Sequence, residues 1–217
     1  MPNLPSEIAY CSLLSYPTHP DTRDEQHAKD VSVDLKQGRR YTNPPCTISQ
    51  LIAQRVLEQR DLPAFEGFFG PDVLAIPVPS SSLKRPGSLW IPQDLAYALK
   101  DAGLVGDVMP LLERTTALPK SAFSLASERS KAMDHYGSVQ VSMKLIAPSS
   151  ILLVDDVITR GATMLGVAGR VMEAYPSLLI QGFAAMRAVS NQGEFKSLMD
   201  PCCGKVTLQG DQTRRRP

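Results

Sequence analysis

Residues 151–175, "ILLVDDVITRGATMLGVAGRVMEAY", constrain the fold more than any other part of the chain. Four apolar residues, Ile151 to Val154, are too few for a helix and match a strand buried on both faces. Two carboxylates follow at once, Asp155 and Asp156. The turn Thr159-Arg160-Gly161-Ala162-Thr163 then opens a helical pattern with small residues on one side. A strand that passes through a short turn into a helix belongs to a mostly parallel sheet covered by helices.

The rest of the chain repeats that alternation. "YCSLLSY" reads as a first strand, and "KDVSVDLKQG" as a strand or short helix near a turn at Gly38. "CTISQLIAQRVLEQRD" places Ile48, Leu51, Ile52, Val56 and Leu57 at helical spacing, with Thr47 as N-cap. "DVLAIPVP" is a buried strand closed by prolines, and "SSSLKRPGSLW" the polar loop after it. "IPQDLAYALKDAG" is a helix with Pro at its start and Gly at its end. "LVGDVMPLLER", "VQVSMKL", "LLIQGFAAMRAV" and "GKVTLQG" read as further strands, and "NQGEFKSLMD" as a short helix. "RTTALPKSAFSLASERSKAMDHYGS" has no clear period and reads as a long loop with one helical stretch. The expectation is an α/β fold with a mostly parallel central sheet flanked by helices. It divides into an N-terminal segment packing on or extending the core (1–45), the core (46–190) and a C-terminal helix/strand with a basic tail (191–217).

A chain of 217 residues suffices for one α/β domain with a substantial core, or a domain with a small appendage. Its net charge of +1 argues against a nucleic-acid coat. The only dense basic run, Arg214 to Arg216, reads as a solvated tail, with a phosphate or nucleic-acid contact as the alternative. No apolar run approaches a membrane span. The N-terminus lacks the basic and apolar regions of a signal peptide, so the expected location is cytoplasmic. Cys11, Cys46, Cys202 and Cys203 show no zinc spacing and read as reduced thiols.

The chemistry concentrates at residues 151–164. In an open parallel sheet ligands bind outside the carboxyl ends of the strands. Backbone N–H groups at a helix N-terminus favour anions, phosphate above all. Gly161 permits close approach, and the hydroxyls of Thr159 and Thr163 can donate to phosphate oxygens. A carboxylate pair suits vicinal hydroxyls such as those of ribose. Two acids after a strand also fit a helix N-terminal charge or a magnesium site. Neither a Walker motif nor a dinucleotide fingerprint is present.

"ILLVDDVITRGATM" closely resembles the 5-phosphoribosyl 1-pyrophosphate (PRPP) motif of type I phosphoribosyltransferases. The resemblance implies that Asp155 and Asp156 contact the ribose hydroxyls. It implies that Thr159, Arg160, Gly161, Ala162 and Thr163 wrap the 5-phosphate. Over more of the chain, "LAIPVPSSSLKRPG", "LLERTTALPKSAFSLASERSKAM", "VDLKQG" and "ISQLIAQRVLE" resemble segments of the competence-protein, ComF-like, branch. The zinc-ribbon cysteines of that branch are absent, and its "RGFNQ"-like stretch reads "RPGSLWIPQ". The subfamily and any role in DNA uptake are left open.

The implied activity is Mg2+-dependent transfer of phosphoribose from PRPP to an unidentified acceptor, with pyrophosphate release. Asp155 and Asp156 are the expected catalytic residues, and the magnesium is held mainly by PRPP. Candidates for pyrophosphate are Ser80, Ser81, Ser82, Lys84 and Arg85 from the first loop, and Arg114, Lys120 and Arg129 from the long loop. For Arg114 and Arg129 a solvated surface role is an equal alternative. His135 reads as a surface or loop histidine, with a general base as the minority reading, and Trp90 as a packing residue. His19 and His27 lack metal spacing. The C-terminal 30 residues show no aromatic platform for a base, which leaves the acceptor unassigned. A non-catalytic sensor of PRPP or nucleotides, or an accessory subunit of a larger system, is the alternative function. Family precedent sets the expectation of a homodimer.

Overall fold

The computed structural model describes residues 4–85, 87–119, 130–145 and 148–217. In chain order the elements are β1 (Glu7–Pro17), α1 (Arg23–Lys36), β2 (Arg40–Thr42), β3 (Pro45–Thr47), α2 (Ile48–Glu58) and β4 (Gly70–Pro77). Then come α3 (Ile91–Asp101), β5 (Val105–Val108), β6 (Leu112–Arg114), α4 (Ala132–Gly137), β7 (Val139–Val141) and β8 (Ser150–Ile158). The chain closes with α5 (Ala162–Ala174), β9 (Leu179–Val189), β10 (Met199–Gln209) and β11 (Gln212–Arg216).

One seven-stranded sheet has the order β11-β10-β1-β9-β8-β4-β5. The five strands from β1 to β5 in that order run parallel; β10 and β11 are antiparallel additions. The mostly parallel sheet covered by helices is therefore present. Alternate strand residues separate two cores, as the period of two requires. Ala75, Leu152, Val154, Phe183 and Ala185 pack with α1, α2 and α3. Leu74, Ile76, Ile151, Leu153 and Ala184 pack with α4 and α5 on the other face. Ile151 to Val154 are fully buried, each burial stabilising the fold by about 1.5–3 kcal/mol.

Local chemistry starts the helices. Thr22 with Glu25 and Thr47 with Gln50 form capping boxes at α1 and α2. Pro92 stands in the first turn of α3, and Gly103 follows its end at φ 73°.

Several sequence expectations are corrected. "KDVSVDLKQG" is neither a strand nor a short helix: up to Lys36 it forms the second half of a 14-residue helix, α1, that begins at Arg23. "LVGDVMPLLER" holds two strands, interrupted from Met109 to Leu111, and "VQVSMKL" supplies only the short β7. In "NQGEFKSLMD" only one 3-10 turn, Gln192–Glu194, forms before β10 begins. Arg214 to Arg216 are not a free tail: they lie in β11, paired with Lys205, Val206 and Thr207, with Arg214 and Arg216 exposed and Arg215 half-buried. Among the described residues, no helix is long and apolar enough to cross a membrane.

Candidate functional site

From β4 the chain crosses through α3 to β5, towards one edge of the sheet. From β8 it crosses through α5 to β9, towards the other. The order reverses between β4 and β8, and the crevice outside their carboxyl ends is where such sheets bind ligands. Both halves of the candidate site flank it: the loop after β4, and the turn after β8.

The strand β8 does not stop at Val154 as its apolar run suggests. It continues through both acids to Ile158, paired with β9 at Asp155↔Ala184, Val157↔Met186 and Ile158↔Arg187. β4, by contrast, leaves the sheet just after Val78, whose N–H donates to the Val154 carbonyl (2.9 Å). The Asp156 N–H on that same edge donates instead to Asp155 Oδ1 (2.9 Å). The Val157 N–H donates to Asp156 Oδ1 (2.8 Å). Burial pushes the Asp155 carboxyl well above the usual carboxylate range. The neighbouring Asp156 charge pushes it further, and the Arg114 guanidinium only partly opposes this.

Gly161 caps α5 in the left-handed region (φ 83°), and among the described residues no side chain caps the helix. α1 and α2 satisfy their first N–H groups with capping boxes; α5 leaves its own to another partner. A small pocket lies here, lined among others by Asp155, Thr159, Arg160, Gly161, Thr163 and His135.

His135 corrects the sequence reading: it is 4% exposed, on α4. A Cβ on Gly166 of α5 would meet the Ala132 carbonyl oxygen at 2.2 Å, so only glycine lets α4 seat this closely. His135 Nε2 lies 3.3 Å from Thr163 Oγ1, while Nδ1 is buried without a partner among the described residues. Its pKa is lowered from 6.5 to about 4, first by desolvation and then by the Arg114 charge, with Asp134 opposing. The unfolded chain therefore binds a proton that the folded chain refuses between about pH 4 and 6.5. Stability rises with pH across that window and falls on acidification. Relative to a His135→Gln variant, the parent is expected to lose about 3 kcal/mol between pH 7 and pH 4. Urea unfolding of both proteins at several pH values measures it; parallel curves would remove the buried neutral histidine.

Arg114 is turned inward. It is buried, and its Nε and Nη2 donate to the carbonyls of Ser80 (2.9 Å) and Pro79 (3.2 Å). Its Nη1 donates to Ser138 Oγ (2.5 Å). It therefore ties the loop after β4 to the end of α4 beside Asp155. Ser80 donates through its hydroxyl to the Ser82 carbonyl (2.9 Å), and the Ser81 carbonyl accepts from the Leu118 N–H (2.8 Å). Lys84 and Arg85 are exposed. Lys84 Nζ lies 4.3 Å from the Trp90 ring centroid, and the half-buried Trp90 donates to the Val78 carbonyl (2.8 Å). Lys120 and Arg129 lie outside the described residues.

Two participants escaped sequence reasoning. Arg215 donates through Nε to the Thr159 carbonyl (2.7 Å) from β11. Ser130 joins the pocket lining just ahead of α4. Only a pairing of β10 with β11 could have signalled the first, and nothing local marks the second. No protein-family model and no curated protein matches this chain.

Among the described residues, no group of three or more His, Cys, Asp or Glu side chains is placed to hold a metal ion. Asp155 and Asp156 offer two adjacent carboxylates. That donor set fits a magnesium ion that takes its remaining ligands from substrate phosphates and water.

Proposed function

We propose that this protein binds PRPP, or a related ribose 5-phosphate, at the β4–β8 crevice and transfers phosphoribose to an acceptor. One observation carries the reading: paired carboxylates near the carboxyl end of β8, at the switch point, precede a tight turn that opens an uncapped helix N-terminus. The carboxylates accept from the ribose hydroxyls. The free amides at the start of α5, with Thr159 and Thr163, hold the 5-phosphate. The type I phosphoribosyltransferase fold and the ComF-like branch belong to this same reading, as does a cytoplasmic location.

In the transfer, the bond between C1 and pyrophosphate breaks, its electron pair leaves with pyrophosphate, and the acceptor forms the new bond at C1. Magnesium bound with PRPP would neutralise charge on the leaving group, with Asp155 and Asp156 as the protein carboxylates nearest to hand. The chain itself supplies orientation and electrostatics. Ser80, Ser81, Ser82, Lys84 and Arg85 surround the pyrophosphate from the loop after β4. Arg114 acts through that loop, by fixing the carbonyls of Pro79 and Ser80.

Calorimetric titration of PRPP with Mg2+ tests binding, beside an Asp155→Asn/Asp156→Asn variant. Binding by the parent and none by the variant is the expected result; equal binding by both would refute the cradle. Pyrophosphate release across an acceptor screen then separates transfer from the sensing alternative, in which ligand binds without turnover.

A further inference from the structure

The C-terminal hairpin β10–β11 touches each of the first three residues of the turn after β8. Arg215 donates to the Thr159 carbonyl, and Arg160 Nη1 reaches Gln212 Oε1 at 3.5 Å. Val206 packs where a side chain of residue 161 would go. The guanidinium of Arg215 is fixed on both flanks: Nη1 donates to the Tyr10 hydroxyl (2.8 Å) and Nη2 to the Ala188 carbonyl (2.5 Å). Arg215 does not line the pocket, and among the described residues no carboxylate pairs with it.

We infer that Arg215 is a positioning residue: it holds the Thr159 carbonyl and so turns the Arg160 N–H towards the bound phosphate. This rests on the phosphate reading of the turn given above. The reasoning uses the rigidity of one peptide unit. The Thr159–Arg160 bond is trans, so its C=O and N–H point in opposite directions. A turn that grips an anion must present N–H groups and direct its carbonyls away, because a carbonyl facing phosphate is repelled. Arg215 takes that carbonyl from the far side with a charge-assisted hydrogen bond. It also leaves a positive charge beside the turn.

The experiment uses the full chain and inorganic phosphate and ribose 5-phosphate as probes, with NMR read at the Arg160 amide. The variants are Arg215→Met, Arg215→Lys and, as a control for stability, Val56→Ala in the core under α2 on the opposite face of the sheet. The Arg160 amide resonance is expected to move in ligand-free Arg215→Met. Phosphate affinity is expected to fall roughly tenfold or more, the worth of one hydrogen bond to a charged group. Arg215→Lys, able to reach the Thr159 carbonyl alone, is expected to recover part of both. Val56→Ala is expected to lose stability at unchanged affinity. Unchanged affinity in Arg215→Met overturns the inference. So does lost affinity with an unmoved Arg160 resonance, which would make Arg215 a distant charge only. A parent that binds phosphate but neither ribose 5-phosphate nor PRPP overturns the sugar reading and leaves Arg215 in its role. A parent that binds neither probe overturns both.

Discussion

Asp155→Asn is expected to melt a few degrees higher than the parent at pH 7 while losing affinity for ribose 5-phosphate. The carboxyl of Asp155 is held well above its ordinary range, first by burial and then by the charge and hydrogen bonding of Asp156. The folded state therefore keeps a proton that the unfolded state has lost above its own carboxylate pKa of about 3.9. The associated stability is complete at low pH and declines as pH rises from there towards the folded value. At neutral pH the native carboxylate is a liability. Asparagine removes the titration and keeps Oδ1 as acceptor for the Asp156 N–H. The opposing effect is the loss of a carboxylate near the buried Arg114 guanidinium. That attraction is the smallest of the contributions to the Asp155 shift, and Arg114 retains three neutral acceptors. The net effect should be a gain in stability, as expected where a functional group is held at a cost to the fold. Calorimetric melting at pH 7 and pH 4 checks it. A variant less stable than the parent at pH 7 would mean that the pairing with Arg114 outweighs desolvation.

Much of the sheet was legible because its strands are short apolar runs, and a run such as Leu152-Leu153-Val154 has no other favourable place. The helix start at Thr47 was legible for a local reason too, since its cap spans only four residues. What failed was non-local. β8 runs on through polar Asp155 and Asp156 because β9 continues beside it, a pairing that no window around the acids contains. His135 is buried by Gly166 and its neighbours on α5, thirty-one residues away. The strand at Arg214 to Arg216 is hidden in the sequence because a solvated tail is the default for three adjacent cations. In β11 the strand alternation turns Arg215 inward while Arg214 and Arg216 stay exposed. The site is thus half local motif and half tertiary scaffold, and the scaffold carries the residues that shape the turn.

Gly161→Ala is expected to cost about 3–4 kcal/mol, more than a loop substitution ordinarily does. Two effects add. The residue caps α5 at φ 83°, a conformation that disfavours any Cβ by about 1–2 kcal/mol. A Cβ there would also lie 2.5 and 2.6 Å from the two methyl carbons of Val206, a fully buried β-branched residue with few rotamers to yield. Close approach at this glycine therefore serves the docking of β10 against the turn, besides any ligand. The two effects separate in a double-mutant cycle. Val206→Ala alone should destabilise by about 2 kcal/mol as a core deletion. Combined with Gly161→Ala it should remove the clash but not the backbone strain. The double variant should then be about 1–2 kcal/mol more stable than the sum of the single effects. Strict additivity in urea unfolding would show that Val206 moves aside freely and that the backbone alone makes glycine necessary. A coupling of that size would tie the shape of the turn after β8 to the C-terminal hairpin through packing, independently of the hydrogen bond from Arg215.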